Sequence, residues 1–295
     1  MAARILPAAE RLARLGMNVS GMASRWVEVD GMRVHVYDGK GGGDLPTVVL
    51  IHGLSAAGIS FARVVARLRP HVKRVVVPEL PGHGESTHPG EHRKVTPELV
   101  LDTISAALDR VVHEPVVVVG NSLGGAVALD YAKRHAEQVR ALVLVSPAGA
   151  RLRDEEWQNL VDAFAITGAA EARRFLERIY HRPPWFLALV AHEFPELLNR
   201  RAVREILESS TPEHAAQPED LASLAMPILL LWGSSERLLP AEALAYFRQH
   251  LPAHAVIEEP LDFGHSPQLE HPGRLAARIV EFARGATQQA GRGHR

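Results

Sequence analysis

Short apolar runs recur along this chain at intervals that suit a sheet. They are Val48–Ile51, Val75–Val77, Val116–Val119, Ala141–Val145 and Ile228–Leu231. Each is rich in β-branched residues or leucine, has no polar alternation and is bounded by turn signals. That pattern predicts strands buried on both faces, as in a parallel sheet. Segments of helical period lie between them. In 97–113, Leu101, Ile104, Leu108 and Val111 share a face, with Thr96 as N-cap and Pro97 at the first helical position. In 272–284, Leu275, Ile279 and Phe282 do the same. Nearer the start, Arg25–Val29 and Met32–Tyr37 flank Asp30-Gly31, the residues of a tight hairpin turn. The expected fold class is α/β: a mostly parallel sheet flanked by helices and opened by two antiparallel strands.

The alternation stops between about 151 and 222. No strand-like run occurs there, and the stretch holds Trp157, Phe164, Phe175, Tyr180, Trp185, Phe186 and Phe194, seven of the chain's sixteen aromatics. A helical insertion with an apolar face, a cap or lid, is expected. Trp157, Trp185 and Phe186 are its candidate substrate contacts. The domain reading is a helical N-terminal segment over 1–23, an α/β core over 24–150 and 223–285, the cap over 151–222 and a disordered polar tail over 286–295. Residues 3–17 are expected to form a basic amphipathic helix with Ile5, Leu12 and Leu15 on one side. Its two readings are packing on the body or lid and contact with a membrane surface.

Composition narrows the classes. A formal net charge of −1 among 295 residues gives no basic excess for nucleic acid. The absence of cysteine excludes disulfides, thiolate metal ligands and a cysteine nucleophile. Charges at Arg4, Glu10, Arg11 and Arg14 interrupt any signal-like apolar run, and no stretch has the length of a membrane span. A cytoplasmic protein is expected. Oligomeric state is not legible.

The chemistry begins where Val116–Val119 runs into Gly120-Asn121-Ser122-Leu123-Gly124-Gly125 before a helical pattern. This is G-x-S-x-G between strand and helix, a turn sharp enough to lift a serine hydroxyl above the sheet. A glycine-rich phosphate turn is the other reading, but neither G-x-G-x-x-G nor a Lys-Ser/Thr ending is present. Strand 48–51 leads into His52-Gly53-Leu54. Backbone N–H groups of Leu54 and Leu123 are the candidate oxyanion donors; an ordinary strand-end turn is the alternative, and His52 reads as structural. His265, in Phe263-Gly264-His265-Ser266-Pro267 before the last helix, is the candidate general base among sixteen histidines. For the acid, Glu236 follows strand 228–231 in Trp232-Gly233-Ser234-Ser235-Glu236. A solvated Glu236 paired with Arg237 is the alternative, and Asp154 is the fallback acid.

These segments, IHGLS, ELPGHGEST, GNSLGG, LWGSSERLLP and FGHSPQLEHP, resemble the α/β-hydrolase family over about residues 45–285. The resemblance implies a Ser122–Glu236–His265 triad, a Leu54/Leu123 oxyanion hole, no cofactor, no metal, and a cap between the sixth and seventh strands. LVSPAGARL and the general layout look most like the monoacylglycerol-lipase and esterase branch, which implies a small-molecule carboxylic ester with an apolar acyl chain. GNSLGG is also similar to carbon–carbon hydrolases of ring-fission products, although those usually carry Arg where this chain has Leu231. A hydrolase-like binding protein without turnover is the third possibility. Two departures stand out. Glu236 replaces the usual Asp of the triad, and Glu79 replaces the usual Asp of the D-x-P-G-H-G segment.

Overall fold

The computed structural model describes residues 5–292, with side chains through Gln288. Eight strands form one sheet: β1 (Ala23–Val29), β2 (Met32–Lys40), β3 (Val48–Ile51), β4 (Arg74–Pro78), β5 (Val116–Ser122), β6 (Val139–Pro147), β7 (Ile228–Leu231) and β8 (Val256–Glu258). Their order is β1-β2-β4-β3-β5-β6-β7-β8. β1 and β2 are antiparallel, β2 meets β4 antiparallel, and the rest pair in parallel. The β1–β2 turn takes φ 47° at Asp30 and 78° at Gly31, the left-handed pair that a two-residue hairpin needs.

The apolar runs are continuous because helices cover both faces. Val49, Ile51, Val116, Val118, Leu142, Leu144, Ile228 and Leu230 point into one core. It is closed by α3 (Pro97–Val111), α4 (Leu123–Arg134) and α10 (Ala241–His250). Val48, Leu50, Val117, Val119, Val143, Leu229 and Leu231 point into the other, under α2 (Ala62–Leu68) and α12 (Pro272–Arg292). Thr96 Oγ1 accepts from Leu99 N–H at 3.3 Å, the N-cap bond expected of it.

Between β6 and β7 the chain forms α5 (Asp154–Ala163), α6 (Ala169–Ile179), α7 (Phe194–Leu198), α8 (Arg201–Ser209) and α9 (Pro218–Ala222), and no strand. A short 3-10 turn over Trp185–Leu189 follows Pro183-Pro184. The short helix α11 (Pro267–Glu270) follows His265.

One expectation about the ends needs correction. The tail expected to be disordered from 286 continues α12 to Arg292. Ala283 and Ala286 are buried in the second core, and such small side chains let the helix lie close to the sheet beyond a polar-looking boundary. Residues 293–295 lie outside the described residues. The N-terminal helix, α1 (Ile5–Val19), packs on the body through a face other than the one that carries Ile5, Leu12 and Leu15. Ile5, Leu12 and Leu15 are 55%, 70% and 58% exposed, whereas Met17 is buried. Arg14 fixes this rotation by donating to Tyr37 Oη at 3.1 Å and approaching Glu79 Oε2 at 3.5 Å. Among the described residues no helix is long and apolar enough to cross a membrane.

Candidate active site

Ser122 ends β5 and stands directly before α4, with φ 56° and ψ −123°. A non-glycine residue there is strained by roughly 1–3 kcal/mol, which the two elements it joins hold in place. The flanking glycines are required by contact. A Cβ on Gly120 would lie 2.1 Å from Gly124 O, and one on Gly124 would lie 2.2 Å from Ile51 O. The loop after β3 also comes close, since a Cβ on Gly53 would lie 3.0 Å from Ser122 Cβ. Leu54 N–H and Leu123 N–H therefore sit on the two backbone segments that converge on Ser122. Leu123 opens α4, so its N–H has no intrahelical acceptor.

His52 stabilises this turn. It is fully buried, its Nδ1 donates to Gly53 O at 2.8 Å, and its Nε2 accepts from Leu80 N–H at 3.1 Å. Only the neutral ring with its proton on Nδ1 satisfies both, and burial pushes its pKa down accordingly.

His265 is buried, and its Nδ1 lies 2.7 Å from Glu236 Oε2. Glu236 Oε1 accepts from Leu238 N–H at 2.7 Å and Leu239 N–H at 3.0 Å. Burial alone would raise the pKa of Glu236. The positive charge and hydrogen bond available from His265, with the Leu239 amide, outweigh it and hold the carboxyl below its usual range. The structure thus brings Glu236 and His265 together. Arg237 turns away and donates to Glu177 O. Asp154 stands exposed at the start of α5.

A side-chain network ties nucleophile and histidine loops together. Asn121 Nδ2 donates to Val145 O at 3.0 Å and to His265 O at 2.9 Å, and its Oδ1 accepts from Gln268 Nε2 at 2.9 Å. Glu270 accepts from Gly264, His181 and Arg182 N–H, joining the histidine loop to the cap. Neither role was read from the sequence; a polar residue beside the nucleophile inside GNSLGG was the available signal for Asn121.

Ser122 and His265 open into a cavity of about 350 Å³, at the small end of ligand pockets, which run from about 300 to 1,000 Å³. Its walls are largely apolar and come from three places. The cap gives Phe164, Phe175, Tyr180, Leu187, Phe194 and Leu197; α1 gives Leu6, Ala9 and Ala13; the core gives Ile59, Leu238 and Leu269. Arg200 also lines it and pairs with Glu10 at 3.6 Å. The expected contacts Trp157, Trp185 and Phe186 do not line this cavity. Trp157 is half-buried on α5, and Trp185 and Phe186 are 78% and 52% exposed. Periodicity locates aromatics on the cap but not which of them turn toward the core, and the inward set is Phe164, Phe175, Tyr180 and Phe194. Among the described residues no cluster of three or more His, Cys, Asp or Glu could hold a metal ion.

Glu79 is fully buried beneath the site. Its carboxylate accepts from Gly58 N–H at 2.9 Å, Glu85 N–H at 2.7 Å and His35 Nδ1 at 3.0 Å. Burial opposes its charge, but the His35 bond, the Glu85 amide and the nearby positive charge of Arg14 hold its pKa down at about 2. It pins loops together and does not line the cavity.

Known proteins carry the same architecture. Residues 46–272 match the family described as alpha/beta hydrolase fold. A pimeloyl-[acyl-carrier protein] methyl ester esterase of Xanthomonas campestris pv. campestris is 33% identical over 259 residues, covering 80% of this chain and 94% of that one. The protein of the same name from Chromobacterium violaceum is 30% identical over 256 residues, covering 81% and 94%. Among solved structures, a membrane phospholipase A described as a bacterial virulence factor superposes with a TM-score of 0.81 at 23% identity, covering 96% of this chain and 93% of that one. A 2-hydroxy-6-oxo-6-phenylhexa-2,4-dienoate hydrolase from a Rhodococcus strain gives 0.75 at 24% identity, covering 89% and 99%. At those identities the two structures speak for the fold alone. By its sheet, its strand–Ser122–helix turn and a match spanning most of its length, the chain belongs to the α/β-hydrolase fold family.

Proposed function

We propose that this protein is a carboxylic ester hydrolase that works through an acyl-enzyme on Ser122 and prefers an apolar acyl group. In this reading Ser122 Oγ attacks the ester carbonyl while His265 Nε2 takes its proton. The oxyanion is held by Leu54 and Leu123 N–H, two donors aimed at charge that forms only during the reaction. His265 then gives its proton to the leaving alkoxide. In the second half it takes a proton from water, which attacks the acyl-enzyme; as the carboxylic acid leaves, His265 returns that proton to Ser122 Oγ. Glu236 fixes the ring tautomer and stabilises the imidazolium.

The observation that carries this reading is the buried Glu236–His265 pair at the floor of an apolar cavity that also opens on Ser122. The relatives named as methyl ester esterases support the same bond type. The cavity walls support an apolar acyl chain, with a monoacylglycerol and a methyl ester of a longer acyl chain as candidate substrates. Carbon–carbon cleavage of an anionic dienoate is supported less. Leu231 stands where those enzymes usually carry Arg, and the cavity's Arg200 is already paired with Glu10.

The test is a panel of p-nitrophenyl esters of increasing acyl length, beside a monoacylglycerol, a long-chain methyl ester and a ring-fission dienoate. Turnover of medium-chain esters, with little on the dienoate, is expected. Dienoate cleavage exceeding every ester would replace this reading.

A further inference from the structure

We infer that the outer face of α1 and the cap tip at Trp185–Leu189 form a docking surface for an anionic phospholipid bilayer, which seats the cavity mouth on the membrane. The inference rests on the ester-hydrolase reading for its purpose but not for its geometry. Of the ten large apolar side chains exposed among the described residues, seven belong to these two pieces: Ile5, Leu12, Leu15 and Val19 on α1, and Trp185, Phe186 and Leu189 on the cap. At 55–80% exposure on α1 and 52–78% on the cap, none of them is covered by the described residues.

The two pieces are physically joined. Ile5 N–H and Leu6 N–H both donate to the Glu193 carboxylate at 2.9 Å, so the start of α1 is fastened just beyond the tip. Each piece also has an inward side that walls the cavity, Leu6, Ala9 and Ala13 from the helix and Leu187 from the turn. The apolar exterior is therefore the rim of an apolar interior. An acyl chain leaving a bilayer under this rim would pass from lipid to protein without crossing water.

Charge favours an anionic lipid surface. Two of the acidic side chains are used internally, Glu10 on Arg200 at 3.6 Å and Glu193 on the helix start. The exposed Arg, Lys, Asp and Glu side chains of 5–19 and 182–196 are Arg11 and Arg182 against one carboxylate, Glu196, and exposed His192 lies 4.0 Å from Glu193. Tryptophan at a projecting tip and arginine beside an apolar stripe are the residue types that settle at the headgroup boundary.

The test is flotation of the full-length protein with phosphatidylglycerol/phosphatidylcholine vesicles and with phosphatidylcholine alone. It compares wild type, Ser122→Ala and the triple variant Leu12→Gln/Leu15→Gln/Val19→Gln. The three replaced side chains are exposed and outside the cavity, so turnover of soluble p-nitrophenyl butyrate checks that the variant is folded. Wild type and Ser122→Ala are expected to float with the anionic vesicles. The triple variant is expected to partition at least about 10-fold more weakly, with butyrate turnover within twofold of wild type. On vesicle addition a blue shift of tryptophan emission, lost in Trp185→Phe, is expected as well. Failure of wild type to float overturns the inference, as does a triple variant that floats equally well. A wild-type dimer by light scattering that the triple variant splits, without vesicle binding, also overturns it, because a second copy then covers this face. Ser122→Ala separates the two readings: a protein that floats but hydrolyses nothing sinks the esterase reading alone, and an active enzyme that never floats sinks the docking alone.

Discussion

His265 Nδ1 and Glu236 Oε2 lie 2.7 Å apart, both side chains buried, with the second carboxylate oxygen held by two backbone amides after Glu236. The extra methylene of Glu over Asp is thus taken up by a loop that curls back over its own acid. Glu236→Gln keeps the shape and removes the charge that stabilises the imidazolium. It is expected to lower kcat by about 10³–10⁴. Glu236→Asp is expected to be impaired too, because the shorter arm cannot span both the imidazole and the Leu238/Leu239 amides. Asp154→Asn should change kcat less than twofold. Steady-state kinetics of the three on one good ester decides; a crippled Asp154→Asn beside a normal Glu236→Gln would move the acid.

Gly53 sets how closely the loop after β3 approaches the nucleophile. A Cβ there would press on Ser122 Cβ at 3.0 Å and Asn121 O at 3.3 Å. Relieving such contacts takes a shift of a few tenths of an ångström, where about 1 Å at a reacting centre costs about 10² in rate. Gly53→Ala is therefore expected to lose kcat by several-fold to about 10-fold while its melting temperature changes little, as read by scanning calorimetry beside kinetics. An unchanged kcat would show that this loop does not help position the reaction.

Phe175 packs edge-on against Phe164 with ring centroids 5.2 Å apart, and both line the cavity. Phe175→Leu enlarges the apolar wall without removing it. The ratio of kcat/KM for decanoate over butyrate p-nitrophenyl esters is expected to rise by about 10-fold, the scale of small changes in an apolar pocket. If both esters fall by one common factor, Phe175 supports the cap without shaping the acyl site.

Glu79 makes a pH prediction. Its pKa falls from an ordinary 4.5 to about 2 in the folded protein, which corresponds to roughly 3 kcal/mol. A carboxylate with a depressed folded value stabilises the fold above its unfolded value. That contribution is lost as the pH drops from about 5 through about 2. Glu79→Gln is therefore expected to be less stable at pH 7 by a few kcal/mol, with a shallower loss between pH 5 and 3. Urea unfolding at several pH values measures both; parallel stability curves for the two proteins would contradict the assignment.

Where a residue's surroundings are fixed by neighbours in sequence, they were legible. The five apolar runs gave the strands between Val48 and Leu231, since β-branched residues without alternation suit only a sheet covered on both faces. Ser122, His265 and Glu236 stand out as candidates in the sequence because each sits in the turn that directly follows a strand or strand-like run. What escaped depended on distant partners. α1 carries two apolar faces, Ile5/Leu12/Leu15/Val19 and Leu6/Ala9/Ala13/Met17, and sequence alone does not say which of them turns inward. The choice between them is made by Arg14 meeting Glu79 and Tyr37, which no local pattern records. The inward aromatics of the cap were hidden for the same reason. The helical extension past Gly285 was hidden by its polar composition, because the described side chain that reaches the core there is only that of Ala286.

The central claim, that Ser122 is the acylated nucleophile, is tested most directly by intact-protein mass spectrometry after treatment with a fluorophosphonate, followed by peptide mapping. The account predicts one adduct per chain, on the peptide containing Ser122, none on Ser122→Ala, and strongly slowed labelling of His265→Ala. An adduct on another residue, or a Ser122→Ala protein that still hydrolyses the best ester at near wild-type rate, would contradict it.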